Sequence, residues 1–219
     1  MLSRAAAAVV PVLGRLTVTH DPGLSLPRSA VFAANHDSLA DPALVVAALR
    51  SLGIEPVVMA TAGLWRIPLL GRMLAGEGHI PVHRGSARAA EALDAAAAAL
   101  DRGRHVLIYG EGGIPRRTDA AAEPPGPFRT GLARLAHRSG APVVPVGHAG
   151  ARRLTSGSAA KQLAGAVTAP LRRPRLHVHI GAPVSLSADV ACGTAAAHRA
   201  VSLAWAEAAR ATGERVRAS

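Results

Sequence analysis

Aromatic residues are scarce in this 219-residue chain, which has two tryptophans, one tyrosine and two phenylalanines. Proteins that bind single-stranded nucleic acid stack the bases on aromatic side chains, so this composition argues against that class. There is one cysteine, Cys192, which excludes an internal disulfide and fits a reducing compartment. We therefore expect a cytoplasmic protein with no nucleic-acid partner, in which this thiol is structural.

Long apolar runs are also missing, since no stretch approaches the ~20 residues that a membrane-spanning helix needs. The run Ala5 to Leu13 follows Arg4, as in a signal peptide, but Pro11 and Arg15 interrupt that pattern. We instead expect residues 1–15 to form a short apolar helix that packs on the domain or rests on lipid. A membrane-bound form would then lie on the inner face of the cell membrane without crossing it.

Acidic residues are few, and the formal net charge is +11 with an isoelectric point near 11.6. Such a charge suggests an anionic partner, which would be a phosphate-bearing substrate, an acidic membrane surface or nucleic acid. Lys161 is the only lysine among the 25 basic residues, and a bias of the genome towards arginine and alanine would produce the same skew. Charge alone therefore does not choose the partner.

Apolar runs bounded by glycine and proline alternate with helix-like segments along the chain. Apolar runs without polar alternation predict buried strands, as in a parallel sheet that is covered on both faces. We predict strands at 16–19, 30–34, 56–60, 79–83, 105–109, 142–146 and 175–180. We predict helices at 3–13, 42–52, 86–101, 128–138 and 194–211, a loop at 114–127, and only weak periodicity at 150–174. The alternation predicts a single-domain α/β fold with a mixed, largely parallel central sheet and helices on both faces.

The stretch Asn35-His36-Asp37-Ser38-Leu39-Ala40-Asp41 joins a predicted buried strand to a predicted helix. A histidine can take a proton near neutral pH, and a carboxylate on its other ring nitrogen stabilises the imidazolium. At such a junction His36 and Asp41 can converge, which makes them candidates for a general-base pair. In the alternative, Asp41 caps the helix that begins at Pro42, and His36 is an ordinary loop residue. The chain has no Gly-x-Ser-x-Gly motif, so the base is expected to activate a substrate hydroxyl.

Three further short motifs follow this stretch in the sequence. They are Ile80-Pro81-Val82-His83-Arg84, then Tyr109-Gly110-Glu111-Gly112, and finally Val144-Pro145-Val146, which is approached by Phe128-Arg129-x-Gly131. Together with Asn35-His36-x-Ser38-x-x-Asp41, they resemble in order the four motifs of the glycerolipid acyltransferase family. Bacterial members of that family include 1-acylglycerol-3-phosphate acyltransferases. One His-x4-Asp pattern is weak evidence, but four motifs in family order over roughly residues 16–148 are specific.

The resemblance implies a peripheral membrane O-acyltransferase of phospholipid biosynthesis, with its acyltransferase domain over residues 16–219. It implies that His36, oriented by Asp41, deprotonates an acceptor hydroxyl, which attacks the thioester of acyl-CoA or acyl-carrier protein without a covalent acyl-enzyme. The implied acceptor is a lysophospholipid such as 1-acylglycerol-3-phosphate. The thioester is a co-substrate, and no cofactor or metal ion is implied. An arginine fork and glycine turns suit a phosphate, and the implied acceptor-binding residues are Asn35, Ser38, Arg84, Glu111, Gly112, Gly113 and Arg116.

The third motif departs from the family pattern. Family members usually have proline before the Glu-Gly pair and threonine and arginine after it, whereas this chain has Gly110, Gly113 and Ile114. Arg116 or Arg117 follows closely and could replace the missing arginine if the loop shifted. The acceptor therefore stays open between lysophosphatidic acid, another lysophospholipid and a non-phosphorylated lipid alcohol.

Two rival interpretations concern lipid contact without catalysis. A basic lipid-binding or nucleic-acid-binding protein on a degenerate scaffold would also explain the charge, but the intact His36 and Asp41 argue against it. The segment 63–74 interleaves large apolar groups with Arg66 and Arg72, which suits either a lipid interface or an ordinary helix pair over the core.

Two further groups of residues are weaker candidates for sites. His177 and His179 share one strand face and could ligate a metal ion, but no third ligand is evident, so a polar strand face is expected. Arg152-Arg153 and Arg172-Arg173 could contact lipid headgroups or the phosphates of coenzyme A, or they could be solvated surface.

Overall fold

A seven-stranded sheet forms the centre of the molecule. The structure, a computed structural model, describes residues 2–86, 88–114, 123–155 and 158–214. The strands are β1 (Arg15–His20), β2 (Val31–Ala34), β3 (Val57–Thr61), β4 (Ile80–Val82), β5 (Val106–Tyr109), β6 (Val143–Ala149) and β7 (Arg175–Ile180). The α-helices in these ranges are α1 (Leu2–Leu13), α2 (Asp41–Ser51), α3 (Pro68–Gly76), α4 (Ala89–Asp101), α5 (Gly131–Ser139), α6 (Ala159–Arg172) and α7 (Val190–Thr212). Short 3₁₀ helices lie at Ala62–Arg66 and Ala151–Arg153.

The strands are arranged in the order β1-β7-β6-β2-β5-β3-β4. All neighbours are parallel except β6 and β7, which are antiparallel. β2 lies between β5 and β6, with Val31 opposite both Val106 and Val143. The strands β2 to β6 therefore all end at one edge of the sheet, and the segments that follow them meet there.

The two faces of β2 belong to two different hydrophobic clusters. Phe32 and Ala34 pack with residues of α1, α2 and β7, whereas Val31 and Ala33 pack with residues of α4, α5 and α7. All four side chains are fully buried, as the uninterrupted apolar run predicts. The predicted α/β fold, with a largely parallel sheet covered on both faces, is confirmed.

Two helices differ from the sequence prediction. Residues 150–174, which show only weak periodicity, contain α6, and Ser158 caps it by accepting a hydrogen bond from the Lys161 backbone N–H at 3.4 Å. The helix predicted at 128–138 begins only at Gly131. Phe128 stands so close to Gly110 that a Cβ at that glycine would collide with its ring. Phe128 and Arg129 thus belong to the loop before α5, and this loop packs against Gly110 at the end of β5.

The N-terminal helix α1 packs on the domain and also presents apolar groups to solvent. Val10 is buried in the core, and the hydroxyl of Ser3 accepts a hydrogen bond from Arg50 Nη1 of α2 at 3.3 Å. Val9 and Val12 are 51% and 59% exposed. None of the helices in the described ranges combines the length and the apolar character of a transmembrane span.

Candidate active site

His36 and Asp41 form a hydrogen-bonded pair at the carboxyl end of β2. His36 Nδ1 lies 2.9 Å from Asp41 Oδ2, and the same oxygen accepts hydrogen bonds from the backbone N–H groups of Asp37 at 2.5 Å and Ser38 at 2.8 Å. The N-cap residue of α2 is Ala40, and Asp41 already lies inside the helix. The carboxylate therefore holds the loop and the imidazole and does not cap the helix.

The pairing fixes which ring nitrogen of His36 faces the substrate side. Because a carboxylate only accepts hydrogen bonds, Nδ1 carries the proton and Nε2 carries a lone pair. The side chain of His36 is 12% exposed and lines a cavity, while that of Asp41 is fully buried. The ring also lies 4.4 Å, centroid to centroid, from that of Tyr109. Burial, and secondarily the charge of Asp41, raises the pKa of Tyr109 well above its ordinary value, so its hydroxyl stays neutral.

Asn35 ties the end of β2 to β6 beneath this pair. Its side chain accepts a hydrogen bond from the backbone N–H of His148 at 2.9 Å and donates one to the His148 carbonyl at 3.2 Å. In return, His148 Nε2 donates to the Asn35 carbonyl at 2.7 Å and lies 3.7 Å from Asp41 Oδ2. Asn35 and His148 are both buried, so these bonds are shielded from water.

Glu111 holds the other polar atom of the same peptide bond. Its Oε1 accepts a hydrogen bond from the backbone N–H of His36 at 2.9 Å. The Asn35–His36 peptide is therefore fixed at its carbonyl by His148 and at its N–H by Glu111.

The hydroxyl of Ser38 lies 2.6 Å from Thr155 Oγ1 and accepts from the backbone N–H of Ala40 at 3.0 Å.

Three of the predicted acceptor-binding residues thus contact the protein itself: Asn35, Ser38 and Glu111. A substrate contact by these residues stays a prediction.

Two arginines converge on the Gly112-Gly113 turn. Gly112 has a φ of 69°, and a Cβ there would lie 2.5 Å from Arg129 Cδ. A Cβ on Gly113 would lie 3.5 Å from Arg84 Nη1. Burial, and then the charge of Arg129, lowers the pKa of Arg84. Two neighbouring guanidinium groups beside glycine backbone form a place suited to an anion.

The sequence interpretation missed Arg129 as a site residue, although Phe128-Arg129-x-Gly131 was noted. It also missed His148, which lies two positions after Val146 of the fourth motif. Arg116 is predicted to bind the acceptor, and Arg116 or Arg117 is predicted to replace the arginine missing from the third motif. Both lie outside the described residues.

One cavity of about 1490 Å³ contains the candidate groups His36, Arg84, Gly112, Gly113 and Arg129 on its wall. Much of the remaining lining is aliphatic and comes from α2, β3, α3 and α4, including Val46, Val58, Met59, Leu70, Leu74 and Leu93. The imidazole of His36, two guanidinium groups and aliphatic side chains thus line one cavity.

His177 and His179 lie on β7, which is separated from β2 by β6, and both contact threonines of the neighbouring strand β1. His177 bridges Thr17 and Thr19, with ring nitrogens 2.6 Å and 2.9 Å from their hydroxyls, and His179 Nε2 lies 3.1 Å from Asp21 Oδ1. In the part of the chain that the structure describes, no three His, Cys, Asp or Glu side chains group as metal ligands do.

A family model described as Acyltransferase matches residues 15–149, which is more than half of the chain. The chain belongs to the acyltransferase family. The family prediction made from the four motifs is therefore confirmed, and with it the prediction of an acyl-transferring enzyme.

Seven solved chains match this acyltransferase. One is the 1-acyl-sn-glycerophosphate (LPA) acyltransferase PlsC from Thermotoga maritima, with a TM-score of 0.70 and 17% sequence identity, over 97% of this chain and 80% of that one. At that identity the likeness shows the fold. A search of curated proteins finds no match.

Proposed function

We propose that this acyltransferase moves a fatty acyl group from acyl-CoA or acyl-carrier protein to the hydroxyl of a lysophospholipid such as 1-acylglycerol-3-phosphate. The observation that carries the proposal is the shared cavity, in which the His36–Asp41 pair opens onto both a two-arginine anion site and aliphatic walls. A lysophospholipid has the matching three parts: a hydroxyl, a phosphate and an acyl chain. The solved Thermotoga maritima enzyme is named for an acceptor of this class, 1-acyl-sn-glycerophosphate.

His36 acts as the general base. Its Nε2 takes the proton of the acceptor hydroxyl while the hydroxyl oxygen attacks the thioester carbonyl carbon. The new ester C–O bond forms as the C–S bond breaks, and the imidazolium returns its proton to the leaving thiolate. Asp41 keeps Nδ1 protonated and stabilises the positive ring during the step. Asn35, Glu111 and His148 position the base through its own peptide bond.

Arg84 and Arg129 hold the acceptor phosphate. Burial, and then the charge of Arg129, lowers the pKa of Arg84, and a phosphate between the two arginines would counter both effects. It would also reach the backbone of the Gly112-Gly113 turn. Arg129 belongs to the family pattern Phe128-Arg129-x-Gly131, so the site keeps this cation although Ile114 stands where the family has a further arginine.

A second candidate acceptor is a lipid alcohol without a phosphate. The observation that favours it is Ile114, which lines the cavity at the position of the family's arginine and is 37% exposed. An apolar side chain there suits an acceptor with fewer charges at that point.

The experiment is a transfer assay with labelled acyl-CoA, labelled acyl-carrier protein and a panel of acceptors. The panel comprises 1-acylglycerol-3-phosphate, lysophosphatidylglycerol and a monoacylglycerol, assayed with the wild type and with Arg129→Gln. We expect transfer to the phosphorylated acceptors. We expect the variant to raise KM for them by roughly tenfold or more, because a charge-assisted bond contributes about 1.5–3 kcal/mol.

The matched control is Arg210→Gln, which removes an exposed arginine of α7 that pairs with Glu207. It should leave KM unchanged. Transfer to monoacylglycerol alone, unaffected by Arg129→Gln, would favour the second candidate. An absence of transfer to every acceptor would contradict both.

A further inference from the structure

The outer face of α6 carries an apolar stripe. Leu163, Val167 and Leu171 are spaced four residues apart and are 68%, 69% and 89% exposed. Residues at that spacing lie along one side of a helix. The stripe is therefore a continuous aliphatic ridge that no described part of the chain covers.

The orientation of α6 is fixed by its opposite side. Ala169 is fully buried, and a Cβ on Gly165 would lie 2.5 Å from the Leu154 carbonyl oxygen. At 100° per residue, positions 165 and 169 face away from the stripe. Arg172 also bonds back to the protein, donating to the carbonyls of Arg153 at 3.1 Å and Gly165 at 2.8 Å. The helix cannot turn its ridge inward without breaking this close packing.

The sequence around the stripe is basic and contains no carboxylates. In the folded chain Glu214 pairs with Arg153, whose carbonyl accepts from Arg172 of α6, but the Glu214 side chain is only 14% exposed. No aspartate or glutamate occurs between Glu123 and Asp189, or in the first 20 residues. Lys161 lies in the first turn of α6 and Arg173 directly after its last residue, and both are exposed. This combination of an aliphatic ridge and cations is complementary to a bilayer that contains anionic lipid.

The segments at both ends of α6 contact parts of the candidate active site or of α1. Thr155, just before α6, bonds to Ser38 in the loop that carries His36. At the other end of the helix, Arg173 Nη2 donates to the Pro11 carbonyl of α1 at 3.3 Å. α1 in turn lines the cavity with Val9, which is also half exposed. α6 therefore lies beside α1, which lines the cavity and also presents apolar groups to solvent.

A second copy of the chain is a poorer occupant of this surface. In a symmetric dimer the stripe of one chain would pack on the same stripe of the other chain. The cations around the two stripes would then face each other without carboxylates from the surrounding sequence to neutralise them.

We propose that α6 is a membrane-docking helix, which inserts Leu163, Val167 and Leu171 among the acyl chains of an anionic bilayer. Lys161 and Arg173 are exposed at the two ends of α6, to the sides of the stripe, and their long side chains reach along the helix to the lipid phosphates. The docking itself needs only the surface; its use in catalysis rests on the proposed function.

The test is sedimentation of the full chain with vesicles of phosphatidylcholine alone or mixed with phosphatidylglycerol. We expect binding to the mixed vesicles only, weakened by added salt. Leu163→Gln with Leu171→Gln should reduce the partition coefficient roughly tenfold or more, since each variant removes one inserted aliphatic side chain. Lys161→Gln should reduce it about fivefold at low salt. The matched control is Leu203→Gln, which changes an exposed leucine of α7.

Two further measurements separate the possible outcomes. Acyl transfer to a short-chain, water-soluble acceptor should be equally fast for the leucine variant and the wild type. If neither protein transfers the acyl group, the proposed function is contradicted but the docking proposal is not. Unchanged vesicle binding by the leucine variant would overturn the docking proposal. Light scattering without lipid should give the same mass for the wild type and the leucine variant. A lower mass for the variant would show that the stripe joins two copies of the chain, which would also overturn the docking proposal.

Discussion

At the scale of single residues, the carboxylate of Asp41 is the centre of the site. One of its oxygens accepts from the His36 ring and from the backbone N–H groups of Asp37 and Ser38. The same atom therefore shapes the loop and orients the imidazole that we propose as the base. Because Asp41 is fully buried, its charge acts on the imidazole with little screening by water.

Asp41→Asn separates these two roles. An asparagine side-chain oxygen can still accept the backbone N–H groups, but it carries no charge to stabilise the imidazolium. We expect kcat to fall by roughly 10²–10⁴-fold, with little change in KM. Steady-state kinetics with acyl-CoA measures this, with Asp94→Asn as the control, because Asp94 is an exposed partner of Arg138. A kcat within a few-fold of the wild type would refute the pair.

His148 is expected to act through Asn35. His148→Phe removes the ring N–H that donates to the buried Asn35 carbonyl, so that carbonyl loses its hydrogen bond to position 148. We expect a loss of about 1–3 kcal/mol in the free energy of unfolding. Denaturant unfolding measures that loss, and a lower kcat should accompany it because the His36 peptide is less firmly held. Wild-type stability would show that the bond contributes nothing.

The contact between His36 and Asp41 could be predicted from sequence because the two residues are close in the chain and three further motifs follow them in family order. Asn35 and Glu111 could also be named from their motifs, but not their contacts with the His148 backbone and the His36 N–H. His148 and Arg129 come from distant segments and reach the site only because β6 and the loop before α5 lie beside β2 and β5 in the folded sheet. Arg129 stands in a short pattern, whereas no local pattern marks His148.

At the scale of elements, the contact between β6 and α7 depends on one glycine. A Cβ on Gly147 would overlap the backbone of Ala204 and Trp205. Gly147→Ala must therefore push α7 away from the sheet, and overpacking of this kind costs about 1–3 kcal/mol or more. Thermal unfolding should show a clearly lower Tm. Gly63→Ala, which has open space around it, should not, and equal Tm values for the two variants would contradict this packing.

Elements that bury large apolar side chains could be predicted from the sequence, whereas an element that buries only small residues could not. β2 and β5 were found because buried strands in a parallel sheet are apolar throughout. α6 was missed because it buries Ala169 and close-packed Gly165, while its large apolar groups face outward. A helix of that kind leaves no core-facing stripe of large residues, and Pro170 further obscures it. Its existence depends on Ser158 as a cap and on tertiary contacts that are absent from the sequence.

At the scale of the whole molecule, buried histidines make stability depend on pH. Burial, and less strongly the neighbouring His179, lowers the pKa of His177 below its ordinary value of 6.5. Burial also lowers the pKa of His79 and His105. The unfolded chain then binds protons at these sites at a higher pH than the folded chain does. Their contribution is thus complete above about pH 6.5 and is lost as the pH falls through that value.

Urea unfolding at about pH 8 and about pH 5.5 tests this dependence. We expect a lower midpoint at the acidic pH, and a smaller difference for His177→Gln. Burial raises the pKa of Glu214, which acts in the opposite direction, so the comparison with the variant isolates the histidine. An acidic midpoint equal to or above the neutral one, unchanged by the variant, would be inconsistent with the account.

The molecule as a whole brings the His36–Asp41 pair, two arginines and an apolar cavity to the edge where β2, β4 and β5 end, and the proposed transfer requires His36 to act as the base. The most direct measurement is kcat for transfer from acyl-CoA to a water-soluble, short-chain 1-acylglycerol-3-phosphate, comparing His36→Ala with His20→Ala. His20 is an exposed histidine at the end of β1. We predict a loss of roughly 10²-fold or more for His36→Ala and none for His20→Ala. Equal turnover by the two variants would contradict the central claim.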